Sequence, residues 1–268
     1  MSFALGLAIG GLGGLALTGV VAVIAYRRNA RLQQRAFRAE RLAELGALTG
    51  GLAHEIKNPL STVQLNLQLL REDITPQDVG PRAHGRLIHR LTTVQRETGR
   101  LRDILDDFMR FAGRIEIEKR PVDVHQMFDD LVDFFAPQAQ LQKVQLRVRP
   151  PAGDGESLVV PLDDRLIKQA ILNLMINALQ AMPEQGGEII LSAEREGNKV
   201  RLQVTDTGVG IPPETIGQIF DVYYSTKKGG TGLGLAITKR VAEEHGGKVY
   251  ATSEVGKGSV FTIEVPAR

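Results

Sequence analysis

"ILNLMINALQA", residues 171–181, sets two asparagines four positions apart among apolar residues at helical spacing. Positions i and i+4 share a helix face, so Asn173 and Asn177 point the same way. Such a pair is by itself an ordinary structural feature. Its meaning changes with two glycine-rich stretches further along, "DTGVGIP" at 206–212 and "GGTGLGL" at 229–235. Glycines at this spacing let the backbone approach a ligand closely and expose N–H groups that cradle phosphate oxygens. A helix beginning near Leu233 adds its positive end. An asparagine amide oxygen completes the shell of an octahedral Mg²⁺ whose other ligands are phosphates and waters. Asp206 offers an acceptor to an exocyclic amine.

Outward from this stretch, the chain after Gly113 mixes β-rich runs ("VQLRVRP", "GEIILSAERE", "NKVRLQVTD", "KVYATSE", "GSVFTIEVP") with helical ones ("VHQMFDDLVDFFAPQA", "LDDRLIKQAILNLMINALQAM", "GLGLAITKRVAEEHG"). That order predicts an α/β sandwich over 115–268, with helices against one face of a sheet. No "GxxxxGK[ST]" loop is present and strand and crossover helix do not alternate regularly, which argues against a doubly wound nucleotide fold. Residues 42–114 read differently. Leu42, Leu45, Leu48, Leu52, Ile56, Val63, Leu67 and Leu70 recur at intervals of three, four or seven, and Leu87, Leu91, Val94, Leu101, Leu105, Phe108 and Phe111 repeat the habit. "DITPQDVGPRA" between them stops one helix and turns the chain. Two helices alone cannot bury such seams, so an all-α hairpin that dimerises into a four-helix bundle is expected.

Phe3 to Tyr26 holds no charged residue, and at about 1.5 Å per residue it would cross a hydrocarbon layer of roughly 30 Å. Arg27, Arg28 and Arg31 follow it, the order of an uncleaved anchor with the bulk of the chain in the cytoplasm. Residues 1–26 are therefore expected to be a single-pass anchor in a bacterial inner membrane, and 27–41 a basic juxtamembrane linker. With only Met1 and Ser2 ahead of the run, no external sensory domain is expected. The linker holds six of the 33 basic residues and one of the 31 acidic ones, leaving 42–268 with 27 positive and 30 negative charges. The basic excess thus belongs beside lipid headgroups, and direct nucleic-acid binding loses its motive. The absence of cysteine excludes disulfides and thiolate chemistry.

Over residues 42–268 the chain resembles the bacterial sensor histidine kinases. "ILNLMINALQA" is similar to that family's asparagine motif, "DTGVGI" to its first glycine motif, "IFDVYYSTK" to its phenylalanine motif and "GGTGLGL" to its second glycine motif. Together they resemble the wider ATP-binding fold shared with DNA gyrase and some chaperones. The resemblance implies ATP and Mg²⁺ as cofactors, Asn177 as the metal ligand, and Asp206 as the adenine reader. It makes Gly208, Gly210, Gly232 and Gly234, with Thr231 and Leu233 between them, the turns that shape the pocket. "YYSTKKGG" would be an ATP lid. Where ATP-hydrolysing relatives carry a water-activating glutamate, this chain has Asn173, which favours transfer of the γ-phosphate to protein over hydrolysis. Gln180 stands where many histidine kinases have lysine, and Lys227 is the candidate to supply that phosphate contact instead. The wording of "GGTGLGL" and "NALQAM" is closest to the nitrogen-regulatory type.

An ATP site needs an acceptor, and "HEIKNPL" at 54–60 provides one. A histidine on an amphipathic helix is more often a boundary residue, but His54 flanks the apolar positions Leu52 and Ile56 and would face solvent, where a phosphoryl group could reach it. A neutral imidazole nitrogen attacks phosphorus when the proton on the other nitrogen is held, and Glu55 is the nearest carboxylate. Pro59 removes an N–H and crowds the carbonyl of residue 55, which predicts a bend just beyond the histidine. The segment also resembles the family's phosphoacceptor motif, by which Asn58 would position water against the phosphorylated aspartate of a response regulator. No receiver-like domain follows, so that aspartate is expected in trans. The competing reading is a catalytically silent, ATP-binding dimeric scaffold.

Overall fold

The computed structural model describes residues 52–53, 56–71, 81–113, 115–150, 158–227 and 231–268. The expected membrane anchor, the basic linker, His54, Glu55 and the centre of the inter-helix turn lie outside them. Among the described residues no helix is long and apolar enough to cross a membrane. The chain divides into units Met1–His54 and Glu55–Arg268. In the first, only Leu52 and Ala53 are described, both helical.

In the second unit, helix α1 runs over 56–71, through a buried Pro59. The hydroxyls of Ser61 and Thr62 reach back four residues to the carbonyls of Lys57 and Asn58, at 2.8 and 3.2 Å. The predicted bend involves the carbonyl of Glu55 and so lies outside the described residues. Helix α2 spans Pro81–Ala112; proline at its first position loses an N–H that has no partner in a helix anyway. The seam is only partly covered. Leu70 and Phe111 are buried, but Leu67, Leu91 and Leu105 of the expected seam are 50%, 47% and 50% exposed, whereas Ile104, outside it, is 1% exposed.

The sandwich follows: β1 (Arg120–Asp123), α3 (Val124–Leu141), β2 (Val144–Val148), β3 (Val159–Leu162), α4 (Asp164–Gln180), β4 (Gly187–Glu196), β5 (Lys199–Asp206), α5 (Gly234–Glu244), β6 (Lys248–Glu254) and β7 (Gly258–Pro266). The five runs read as strands form one sheet in the order β2-β4-β5-β7-β6, parallel only between β2 and β4. Sequence reasoning missed β1 and β3, which pair antiparallel with each other outside that sheet; four residues are too short for a period to show. Strand β5 alternates strictly, burying Val200, Leu202 and Val204 while Arg201 and Gln203 stay partly open. Ile189 and Leu191 of β4 and Ile263 and Val265 of β7 are buried as well, as are Phe128 and Phe135 of α3, Ile171, Leu174 and Met175 of α4, and Val241 of α5. α4 thus buries its apolar stripe and leaves Asn173 and Asn177 on a partly open flank.

Asp123 and Asp163 cap α3 and α4 through their carboxylates. Asp163 also joins three elements. Its Oδ2 accepts the Glu118 N–H (3.1 Å), and its own N–H donates to Nε2 of the buried His245 (3.1 Å) at the end of α5. Nε2 being the acceptor, Nδ1 carries the proton and donates to Val241 O (2.8 Å). Burial first of all, with Lys119 nearby, holds the His245 pKa below its ordinary 6.5, against Asp163 and Glu244. As pH falls through about 6.5 the unfolded chain takes up a proton there and the folded chain does not, so stability is lost from that point downward. Denaturant midpoints measured between about pH 7.5 and about pH 5.5 should fall more for the wild type than for His245→Gln, which cannot titrate. Equal pH dependence in the two would overturn this assignment.

Candidate nucleotide site

The sheet and helices bring the separated motifs to one cavity of about 740 Å³, lined by Asn173, Asn177 and Gln180 of α4, Asp206 of β5, Gly210, Lys227, Thr231, Gly232 and Gly234. That volume suits a small-molecule ligand. Asp206 ends β5, is 3% exposed, and accepts the Gly208 N–H at 2.8 Å through Oδ1. Desolvation raises its pKa above the ordinary carboxylate value, opposed by the Gly208 N–H, Ser259 and the charge of Lys227. A buried carboxylate held by the Gly208 N–H and by Ser259 suits a neutral amine donor such as the exocyclic amine of adenine. Gly210 has φ +74 and lies against the backbone of Glu254 and Val255; Gly232 has φ +64 and lies against that of Tyr223. A side chain at either would be strained and would collide with main chain. Gly234 differs, since an added Cβ would meet only Asn173 Cγ, at 3.9 Å.

Asn173 Nδ2 donates to Gly234 O at 3.2 Å, tying α4 to the first residue of α5. No side chain caps α5, so its leading N–H groups are available on the cavity side. Asn177 and Gln180, one helical turn apart, both face Lys227, whose Nζ donates to Gln180 Oε1 at 2.7 Å and Asn177 Oδ1 at 3.3 Å. The lysine expected to stand in for a basic residue at 180 therefore lies directly over it. Ile219 is buried, and the ring of Phe220 meets Phe261 edge-on, with centroids 6.4 Å apart, which anchors the phenylalanine motif beneath the cavity. Lys228, Gly229 and Gly230 of the expected lid lie outside the described residues, and Asn58 is exposed on α1.

Sequence reasoning missed the contribution of α2. Arg100, Asp103, Asp106, Asp107 and Arg110 also line the cavity. Asp107 Oδ2 accepts the Thr231 hydroxyl at 3.0 Å, and burial raises its pKa against that bond and Arg110. These residues lie on the polar face of a helix whose apolar period drew the attention, and nothing local in the sequence marks them as facing a distant motif.

A buried acid, paired amides and glycine turns around one cavity, with an uncapped helix N-terminus, define a nucleotide-binding sandwich domain, here carried behind a helical hairpin. Residues 162–268 match the family described as "Histidine kinase-, DNA gyrase B-, and HSP90-like ATPase", and 44–114 the "His Kinase A (phospho-acceptor) domain". The sensor histidine kinase ZraS of Escherichia coli (strain K12) is 34% identical over 255 residues, 93% of this chain and 52% of that protein. Sporulation kinase B of Bacillus subtilis (strain 168) is 29% identical over 251 residues, 94% of this chain and 56% of that protein. Among solved structures, the catalytic domain of histidine kinase ThkA superposes with TM-score 0.50 at 32% identity, covering 56% of this chain and 96% of that one. ThkA in complex with response regulator protein TrrA gives 0.70 at 27%, covering 86% and 64%. The chain belongs to the bacterial two-component sensor histidine kinases. It spans about half the length of the sensor kinases it matches.

Proposed function

We propose that this chain is an ATP-dependent protein histidine kinase that phosphorylates His54 and passes the phosphoryl group to an aspartate of a response regulator in trans. The observation that carries the reading is the meeting of Asp206, Asn177 and the two glycine turns around one cavity. The residues present fit Mg·ATP. Asp206 would accept the adenine amine, Asn177 Oδ1 would ligate the metal, Lys227 would meet phosphate oxygens, and the Gly208–Gly210 and Thr231–Gly234 turns would fit the backbone around the ligand. Bound Mg·ATP supplies the electrophilic γ-phosphorus. His54 forms the N–P bond as the bond to the ADP oxygen breaks, with Glu55 holding the proton on the other ring nitrogen. Asn173, an amide engaged with Gly234, is no base for water. On α1, Asn58 presents an exposed amide, suited to orienting water against a phosphorylated aspartate, which gives the kinase an opposing phosphatase activity.

Half-exposed Leu67, Leu91 and Leu105, with Leu65 at 55%, Ile88 at 51% and Met109 at 62%, leave the hairpin an apolar surface for a second copy, so the working form is a homodimer. The uncharged run of 3–26 supports attachment to a membrane, and the wording of the second glycine motif supports the nitrogen-regulatory subclass. ThkA's complex with a response regulator supports the same kind of partner here.

The test is labelling by γ-³²P-ATP with Mg²⁺. An acid-labile, base-stable label that moves to a receiver domain is expected, and Asp206→Asn should weaken both labelling and metal-free ATP binding by about tenfold or more. The amide oxygen stays with the Gly208 N–H, and the amide NH₂ then faces the adenine amine, donor against donor. A wild-type chain that binds ATP but never takes up label would favour the scaffold reading.

A further inference from the structure

Helix α2 lies outside the sandwich, yet it holds α5 at two points. Before the first residue of α5, the Thr231 hydroxyl donates to Asp107 Oδ2 at 3.0 Å and accepts the Leu233 N–H at 3.3 Å. In the second turn, Arg240 donates to the carbonyl of Phe111 and, at 2.7 Å, to that of Gly113, with its guanidinium 5.7 Å from the Phe111 ring centroid. The carbonyls at the end of α2 thus find a cation where a helix leaves acceptors unpaired.

We propose that Asp107 is a positioning residue for the phosphate end of the nucleotide site, setting the Thr231–Gly234 turn through its bond to Thr231. The proposal rests on the nucleotide reading above. A hydroxyl is one donor and an acceptor. With its proton committed to Asp107, Thr231 directs a lone pair at the Leu233 N–H and fixes the turn ahead of α5. Gly232, next in that turn, sits against the Tyr223 backbone, so a shift at Thr231 is passed on rather than absorbed. The adenine end, at Asp206, is held by Gly208 and does not depend on this chain of bonds. The hairpin that offers the phosphoacceptor therefore completes the site that offers the phosphate, and any movement of α2 against α5 is felt as a change in phosphate binding.

Equilibrium binding to the full chain tests this with two probes, a non-hydrolysable ATP analogue with Mg²⁺ and adenosine. Asp107→Ala should weaken the analogue about three- to tenfold, the range for the net worth of one hydrogen bond, and leave adenosine unchanged. Asp107→Asn, which keeps an acceptor oxygen, should return the analogue to within about twofold of wild type. The proposal is overturned by wild-type analogue affinity in Asp107→Ala, or by an equal loss for adenosine. Tighter analogue binding in both variants would also overturn it, since charge repulsion between Asp107 and the phosphates would then dominate. A wild-type chain that binds neither probe removes the nucleotide reading itself.

Discussion

The His54→Gln chain should take up no acid-labile label from γ-³²P-ATP while binding the nucleotide as the wild type does. Loss of a nucleophile leaves only background reaction, a fall of roughly 10²-fold or more. The chain has five histidines, and the fold bears on three of them, His245, His125 and His89. His245 is buried with both ring nitrogens engaged, so neither nitrogen is free to attack. The ring nitrogens of His125 are buried at the start of α3. His89 is exposed on α2 but stands between Ile88 and Arg90, without a neighbouring carboxylate to hold its second proton. His54 is followed at once by Glu55. His89→Gln is the control and should label normally. Label at wild-type stoichiometry in His54→Gln, or its loss in His89→Gln, would move the acceptor elsewhere.

What the sequence made legible follows from the range of each signal. The sandwich strands could be read because β4 and β5 are long enough to show alternation, and α4 because an unbroken apolar stripe sets Asn173 and Asn177 apart on its flank. The glycines were legible since Gly210 and Gly232 occupy conformations that other residues adopt at a cost. What escaped was long-range. The partner of Thr231 is Asp107, 124 positions away, and the partner of Arg240 is the end of α2, beyond the reach of any local pattern. Exposure in the hairpin escaped for a related reason: periodicity tells which residues share a face, but not whether this chain or a second copy covers it, so Ile104 is buried and Leu105 is not.

Asn177→Ala should nearly abolish autophosphorylation and remove the Mg²⁺-dependent part of nucleotide affinity, while binding measured in chelator stays close to wild type. Asn177 Oδ1 is the oxygen that the paired-amide face turns into the cavity, and Lys227 Nζ already lies 3.3 Å from it. Mg²⁺ and an ammonium cannot share that oxygen. A double and a single positive charge about 4 Å apart repel by ~8 kcal/mol at an effective dielectric of about 20. Were Asn177 to hold the metal as proposed, the ammonium would stay with Gln180 Oε1, its nearer partner at 2.7 Å, and turn toward phosphate oxygens. In this arrangement Gln180 is a rest for the lysine rather than a weakened phosphate ligand. Alanine at 177 keeps the Lys227–Gln180 bond while removing the amide oxygen proposed for the metal, so labelling should fall about 10²- to 10³-fold, the scale for losing one preorganised electrostatic contact to a transferring group. Lys227→Met should show the complementary pattern, with half-saturation at lower Mg²⁺ but weaker nucleotide binding in chelator. Titrating each variant with Mg²⁺ at fixed nucleotide separates the two roles, and an Asn177→Ala chain with the wild-type Mg²⁺ dependence would show that the metal is held by other groups.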